Sequence, residues 1–83
     1  MITVIFENQK FETPPNTKHI GADENGEVHA YFEDSKPKGD PCGFWETLNS
    51  DMCVKIGDLN PLALMGFDWS DSLKSIDELV KLG

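Results

Sequence analysis

The chain has no arginine. All seven of its basic residues are lysine, against fifteen aspartates and glutamates, for a net charge of -8 over 83 residues. Arginine is the side chain that grips phosphate and guanine with two hydrogen bonds at once. Phosphate neutralisation supplies most non-specific affinity for nucleic acid. An acidic chain without arginine is therefore a poor direct binder of nucleic acid. An anionic membrane surface is disfavoured on the same grounds. Cysteine is scarce too: Cys42 and Cys53 are the only two. One disulfide could join them, but no secretion signal precedes the first strand-like run. Reduced thiols in a cytoplasm are the expectation. No apolar run is long enough to span a bilayer. No serine or cysteine sits in a recognisable nucleophile motif. A paired-carboxylate hydrolase would need a cleft that so short a chain seldom provides. The expectation is a protein that is not an enzyme and carries no cofactor.

Apolar residues make up 39% of the chain and aromatics 10%, enough for one compact core. They are patterned rather than scattered, so the chain reads as a single folded domain over residues 1–83. At this length the stability margin is thin.

Ile2 to Phe6 is β-branched and aromatic, with Ile2, Val4 and Phe6 on one face. Asn8-Gln9 reads as a turn, and Lys10 to Thr13 returns as a second strand. Pro14-Pro15 ends that hairpin, since proline cannot donate to a strand ladder. Lys18 to Asp34 reads as a second hairpin around a three-residue loop, Glu24-Asn25-Gly26, with Gly26 in the left-handed conformation. Asp23 then faces Glu27, Ala22 faces Val28, Gly21 faces His29, Ile20 faces Ala30, His19 faces Tyr31 and Lys18 faces Phe32. This register sorts the small apolar residues onto one face, which should be buried. Histidine, tyrosine and carboxylates fall on the other. A slip of one residue would destroy the sorting.

Ser35 to Asp51 reads as a polar loop with one apolar knot, Cys42-Gly43-Phe44-Trp45. The aromatics are expected to plug the sheet edge, with a short helical turn over Phe44 to Leu48. Cys53 to Leu59 is a fifth strand. Asn60-Pro61 opens a short helical turn. From Asp68 onward the period changes: Leu73, Ile76, Leu79, Val80 and Leu82 suit an amphipathic helix. Ser70 or Asp71 can cap it, or it starts later at a Ser75–Glu78 capping box. The fold class is therefore α+β: about five short antiparallel strands, as two hairpins plus one strand, with one C-terminal helix. A barrel-like packing of the same strands is the alternative.

The candidate binding surface is acidic. It comprises Asp23, Glu24, Glu27, Glu33 and Asp34 of the second hairpin, with Asp40 just beyond, and the aromatics Tyr31 and Trp45. Such a surface would steer onto a basic protein groove, and tryptophan is a favoured anchor in protein interfaces. Trp69 reads as core. Asp23-Glu24-Asn25-Gly26 lacks the alternating carboxylates and closing glutamate of a calcium loop. His19 and His29 are diagonal neighbours that could chelate zinc only with further ligands, from Cys53 or an acidic residue, and the spacing supplies none. No metal site is expected.

The order of these signals resembles a set of small acidic proteins of phages and prophages. The carrying residues are ITVIF at the start, Pro14, the hairpin from Ala22 to Tyr31, Trp45, the strand from Cys53 to Gly57, and Asp68-Trp69-Ser70-Asp71-Ser72-Leu73. Histidine stands at position 19 where an aromatic is expected, and the tail runs on past Leu73. The resemblance implies an accessory phage gene acting in a host cytoplasm, of a kind that often encodes inhibitors of host enzymes or defence systems. The expected function is a non-enzymatic interaction protein that binds and inhibits a host protein, one that works in defence or handles nucleic acid. The rivals are a small-molecule or nucleotide binder, with a pocket between sheet and helix, and a small virion or assembly component.

Overall fold

The polypeptide turns back on itself almost at once, and the first turn sets the first layer. The computed structural model describes residues 1–33, 37–47, 52–65 and 67–79. Strand β1 (Ile2–Phe6) pairs antiparallel with β2 (Gln9–Thr13), matching Ile2 with Thr13 and Phe6 with Gln9. The turn is Glu7-Asn8, one residue earlier than expected. Both residues are left-handed, with φ of 50° and 64°. Two consecutive left-handed residues make the turn whose twist suits a two-residue hairpin. Period-2 alternation buries Val4 and Phe6 from one strand and Phe11 and Thr13 from the other.

The second hairpin matches its expected register residue by residue. Strand β3 (His19–Ala22) and β4 (Glu27–Tyr31) pair His19 with Tyr31, Ile20 with Ala30, Gly21 with His29 and Ala22 with Val28. Gly26, at φ 89°, closes the loop by donating its N–H to Asp23 O at 2.9 Å, and Asp23 N–H donates to Glu27 O at 3.0 Å. Ile20, Ala22, Val28 and Ala30 are fully buried. Strand β7 (Cys53–Asp58) adds to the outer edge of β4 with a bulge opposite Val28 and His29.

Among the described residues there are eight strands in three sheets, more than the five expected. The segment read as a loop contains a hairpin, β5 (Lys38–Asp40) with β6 (Phe44–Glu46), where a helical turn was expected over Phe44 to Leu48. Leu48 itself lies outside the described residues. The tail also differs. Its first part forms a 3-10 turn (Trp69–Asp71) and a two-residue strand, β8 (Lys74–Ser75), and only Ile76–Leu79 is helical (α1). The Ser75 hydroxyl lies 3.4 Å from Glu78 Oε1, so the later start is the one used. Val80 and Leu82 lie outside the described residues. Among the described residues the central sheet runs β7-β4-β3-β8 and stays open rather than closing into a barrel.

The β1–β2 hairpin packs on one face of this sheet. Val4, Phe6 and Phe11 meet Ile20, Ala22, Val28 and Leu59, with Ile76 and Leu79 of α1 at the margin. Phe6 and Phe11 meet edge to face at 6.3 Å. Gly57 makes room for Phe11: a Cβ there would lie 2.8 Å from the ring. At the end of β7 the Gln9 side chain accepts from Asn60 N–H at 2.6 Å and donates to Asp58 O at 3.3 Å, tying the two layers together.

Two isoleucines separate core packing from strand propensity. Ile20 has no exposure, whereas Ile5 is 56% exposed. Ile20→Ala should cost about 2–5 kcal/mol in urea denaturation. Ile5→Ala should cost under about 1 kcal/mol. Equal losses would contradict this packing.

Candidate functional site

The other face of the β3–β4 hairpin carries His19, Gly21 and Asp23 on one strand and Glu27, His29 and Tyr31 on the next, since strand side chains alternate. The centre of this face is covered. A Cβ on Gly21 would lie 2.9 Å from Leu73 Cδ1 and 3.2 Å from Trp45 Nε1, so only glycine lets both pack there. Trp45 and Trp69 meet edge to face, with ring centroids 5.4 Å apart, and both lie against Gly39 of β5.

Ala22 turns its backbone groups away from β4, where β8 no longer reaches. Side chains take the place of a strand. Ser72 Oγ accepts from Ala22 N–H at 3.0 Å, and Trp45 Nε1–H donates to Ala22 O at 2.9 Å. The Ser72 hydroxyl proton faces two carbonyls, Trp69 O at 2.7 Å and Ala22 O at 3.1 Å. Two more bonds bring the β5–β6 hairpin beside the β3–β4 loop. Trp45 N–H donates to Asp23 Oδ1 at 3.2 Å, and Glu24 N–H donates to Gly43 O at 2.7 Å. Gly43 is left-handed at φ 100°, and the Glu24 side chain packs directly over it.

Four of the expected acidic residues gather here. Asp23 and Glu27 are half-buried, Glu24 is exposed and Asp40 sits across the junction in β5. Glu33 is only 9% exposed and contributes little to the surface. Asp34 lies outside the described residues. Of the aromatics, Tyr31 is 2% exposed, so it supports the face from within rather than presenting a contact. Its phenol is pushed well above its ordinary value, first by burial and then by the charge of Asp23. Trp45 is half-buried with its indole N–H already bonded, which makes it a plug.

Alternation along β6 determines what is presented instead. Trp45 points in, so Phe44 and Glu46 point out, and Phe44 is 42% exposed. Asp40 is opposite Phe44, and Glu46 is opposite Lys38. The Cys42 N–H donates to Asp40 Oδ1 at 2.8 Å and draws the Asp40 carboxyl below its usual range. Its hydrogen-bonded neighbour Glu46 is pushed up, chiefly by that bond and then by the Asp40 charge. Phe44, expected to plug the sheet edge beside Trp45, instead points to solvent, and sequence reasoning missed the outward role of Phe44 and Glu46 because it placed no strand there. Once a strand is assigned, the in–out alternation around Trp45 identifies both.

The junction also brings three potential metal ligands together. Donor atoms of Asp23, Glu27 and His29 all lie within 4.8 Å of one another. The spacing Asp-x3-Glu-x-His across a three-residue loop was the available signal. Cys42 and Cys53 are thiols rather than a disulfide, Cys42 exposed and Cys53 half-buried. Burial, with the Asp23 and Glu33 charges behind it, pushes the Cys53 thiol up. At the other end of the β3–β4 hairpin an open cleft of about 420 Å³ lies beside α1, lined by Ile2, Lys18, His19, Ile76 and Asp77 among others. No helix among the described residues is long and apolar enough to cross a membrane.

Burial is the largest influence on Asp23 and raises its carboxyl pKa above the ordinary 3.8, against the opposing pull of Trp45 N–H and His29. A carboxyl raised in the folded state costs stability when ionised. That cost is present at neutral pH. It fades as pH falls through the raised folded-state pKa and is gone below the unfolded one. Asp23→Asn keeps an oxygen for Trp45 N–H and removes the charge. The variant should exceed wild type in urea stability at pH 7, with the gap closing as pH falls below the carboxylate range. A gap that stays constant or widens on acidification would contradict this account.

The chain matches no protein-family model, no curated protein and no solved structure.

Proposed function

We propose that this chain is a non-catalytic interaction protein that binds a basic surface on a host protein and inhibits it. The observation that carries this reading is the outward face of the β5–β6 hairpin. There Phe44 stands 42% exposed beside the mutually hydrogen-bonded carboxyls of Asp40 and Glu46, with Lys38 opposite Glu46 and Glu24 across the junction. An apolar ring beside a pair of carboxyls suits a partner with an apolar notch rimmed by lysine or arginine. The ring supplies desolvated contact area, and the carboxylates steer encounter and orientation. The net charge of -8 acts in the same direction at longer range. The hairpin is fastened to the core sheet through Trp45, so its face is held ready and little ordering cost falls on binding. The similarity of the motif order to small phage proteins supports a host target in defence or nucleic-acid handling, reached in the host cytoplasm.

The alternative is a small-molecule or nucleotide binder, which the cleft beside α1 favours. Its lining combines apolar Ile2 and Ile76 with charged Lys18 and Asp77. A metabolite screen by thermal shift separates the two readings, because a ligand of the folded state raises the melting temperature.

Capture from host lysate at low and moderate salt tests the main reading. Wild type should retain a specific partner, less of it as salt rises. Phe44→Ala should weaken capture by about tenfold or more at both salt levels, as expected for a central interface anchor. Asp40→Asn with Glu46→Gln should weaken it mainly at low salt. Equal capture by wild type and Phe44→Ala would reject this face.

A further inference from the structure

We propose that Asp23, Glu27 and His29 form a binding site for one divalent transition-metal ion of the zinc kind. The inference does not depend on the partner-binding reading. The hairpin register builds the site. Asp23 and Glu27 are the hydrogen-bonded pair that closes the three-residue loop, and His29 is the next residue on the same side of β4. The imidazole lies between the two carboxylates, with Nδ1 at 3.6 Å from Asp23 Oδ2 and Nε2 at 4.0 Å from Glu27 Oε1. Both separations exceed a hydrogen bond.

A second observation points to a missing ligand. The Nδ1 atom of His29 is cut off from solvent and has no hydrogen-bond partner. Buried polar atoms are normally satisfied. The side chains of His29 and Asp23 are only 19% and 15% exposed, so two of the three donors are largely preorganised, while Glu27, at 38%, leaves an entry path. Lys55, opposite His29 on β7, directs its ammonium to Asp58 at 3.2 Å.

Donor chemistry selects the ion. Calcium and magnesium take oxygen ligands and would leave the imidazole unused. One nitrogen and two carboxylates suit zinc and its divalent neighbours. Zinc bonds of about 2.0–2.2 Å place ligand atoms roughly 3.3 Å apart. The donor atoms now lie within 4.8 Å of one another with the carboxylates on different ring nitrogens, so binding one ion at Nδ1 requires the rim residue Glu27 to swing toward that side. Three protein ligands leave the fourth position to water.

Zinc titration of the whole chain by calorimetry tests the site, with circular dichroism confirming that each variant is folded. Wild type should take up one Zn2+ per chain. Glu27→Gln and His29→Gln should each weaken uptake by about tenfold or more. Glu12→Gln, an exposed carboxylate on β2, should leave it unchanged. If His29→Gln does not fold, Glu27→Gln alone decides, since Glu27 is on the rim. A Co2+ spectrum should lack the thiolate charge-transfer band. The proposal is overturned by any of four results: no saturable Zn2+ uptake, wild-type affinity in Glu27→Gln, equal weakening by Glu12→Gln, or a thiolate band that assigns the ion to Cys42 or Cys53.

Discussion

Ala22 is one residue with no side-chain exposure, and its backbone is held by two segments far away in sequence. Its N–H meets Ser72 and its C=O meets Trp45. An unpaired backbone group at a buried strand edge costs as much as a lost hydrogen bond. Strand β8 is too short to pair there, because it ends at Lys74 opposite Ile20. Two side chains complete the edge instead. This clasp draws the tail turn and the β5–β6 hairpin onto the same side of the sheet. Without it, Gly21 would have no cover and the acidic junction would not form.

The clasp also accounts for what the surface presents. Because Trp45 must point inward to reach Ala22, strand alternation turns Phe44 outward. The same hairpin sets Glu24 over Gly43 and brings Asp40 near the β3–β4 loop. Carboxylates that would otherwise be spread along a solvated strand are concentrated at one end. Burial then acts on them unequally. Asp23 is raised and Asp40 lowered, although both are aspartates of one junction. Asp23 is beneath the hairpin, whereas Asp40 is outside and holds the Cys42 N–H.

Much of this was legible in the sequence where local constraint and burial agree. Gly26 could be placed because the loop requires a left-handed residue, and with it the register of four residue pairs follows. The inward face, Ile20, Ala22, Val28 and Ala30, came with that register. The plug reading of Trp45 was legible because an indole in a polar loop needs somewhere to go, but its reading as a partner anchor does not suit a half-buried, bonded indole, and Phe44, read as plugging beside it, points outward. The β5–β6 strands were not. Lys38-Gly39-Asp40 has poor strand propensity, and three residues are too few for a period. That hairpin exists because Trp45 docks, which is a tertiary fact. The tail misled for a related reason. The spacing of Leu73 and Ile76 is helical, but Leu73 packs on Gly21 while Lys74-Ser75 is captured by the edge of β3. Tyr31 was sorted to the correct face, but that face is covered. The Asp-x3-Glu-x-His spacing was visible once the register was known.

Amide hydrogen exchange followed by NMR tests the clasp most directly. The Ala22 N–H and the Trp45 indole N–H should exchange only with global unfolding, as slowly as the core amides of Ile20 and Val28, and Ser72→Ala should release the Ala22 amide. Exchange of either proton at the rate of a frayed surface strand, with the core amides still protected, would contradict the account.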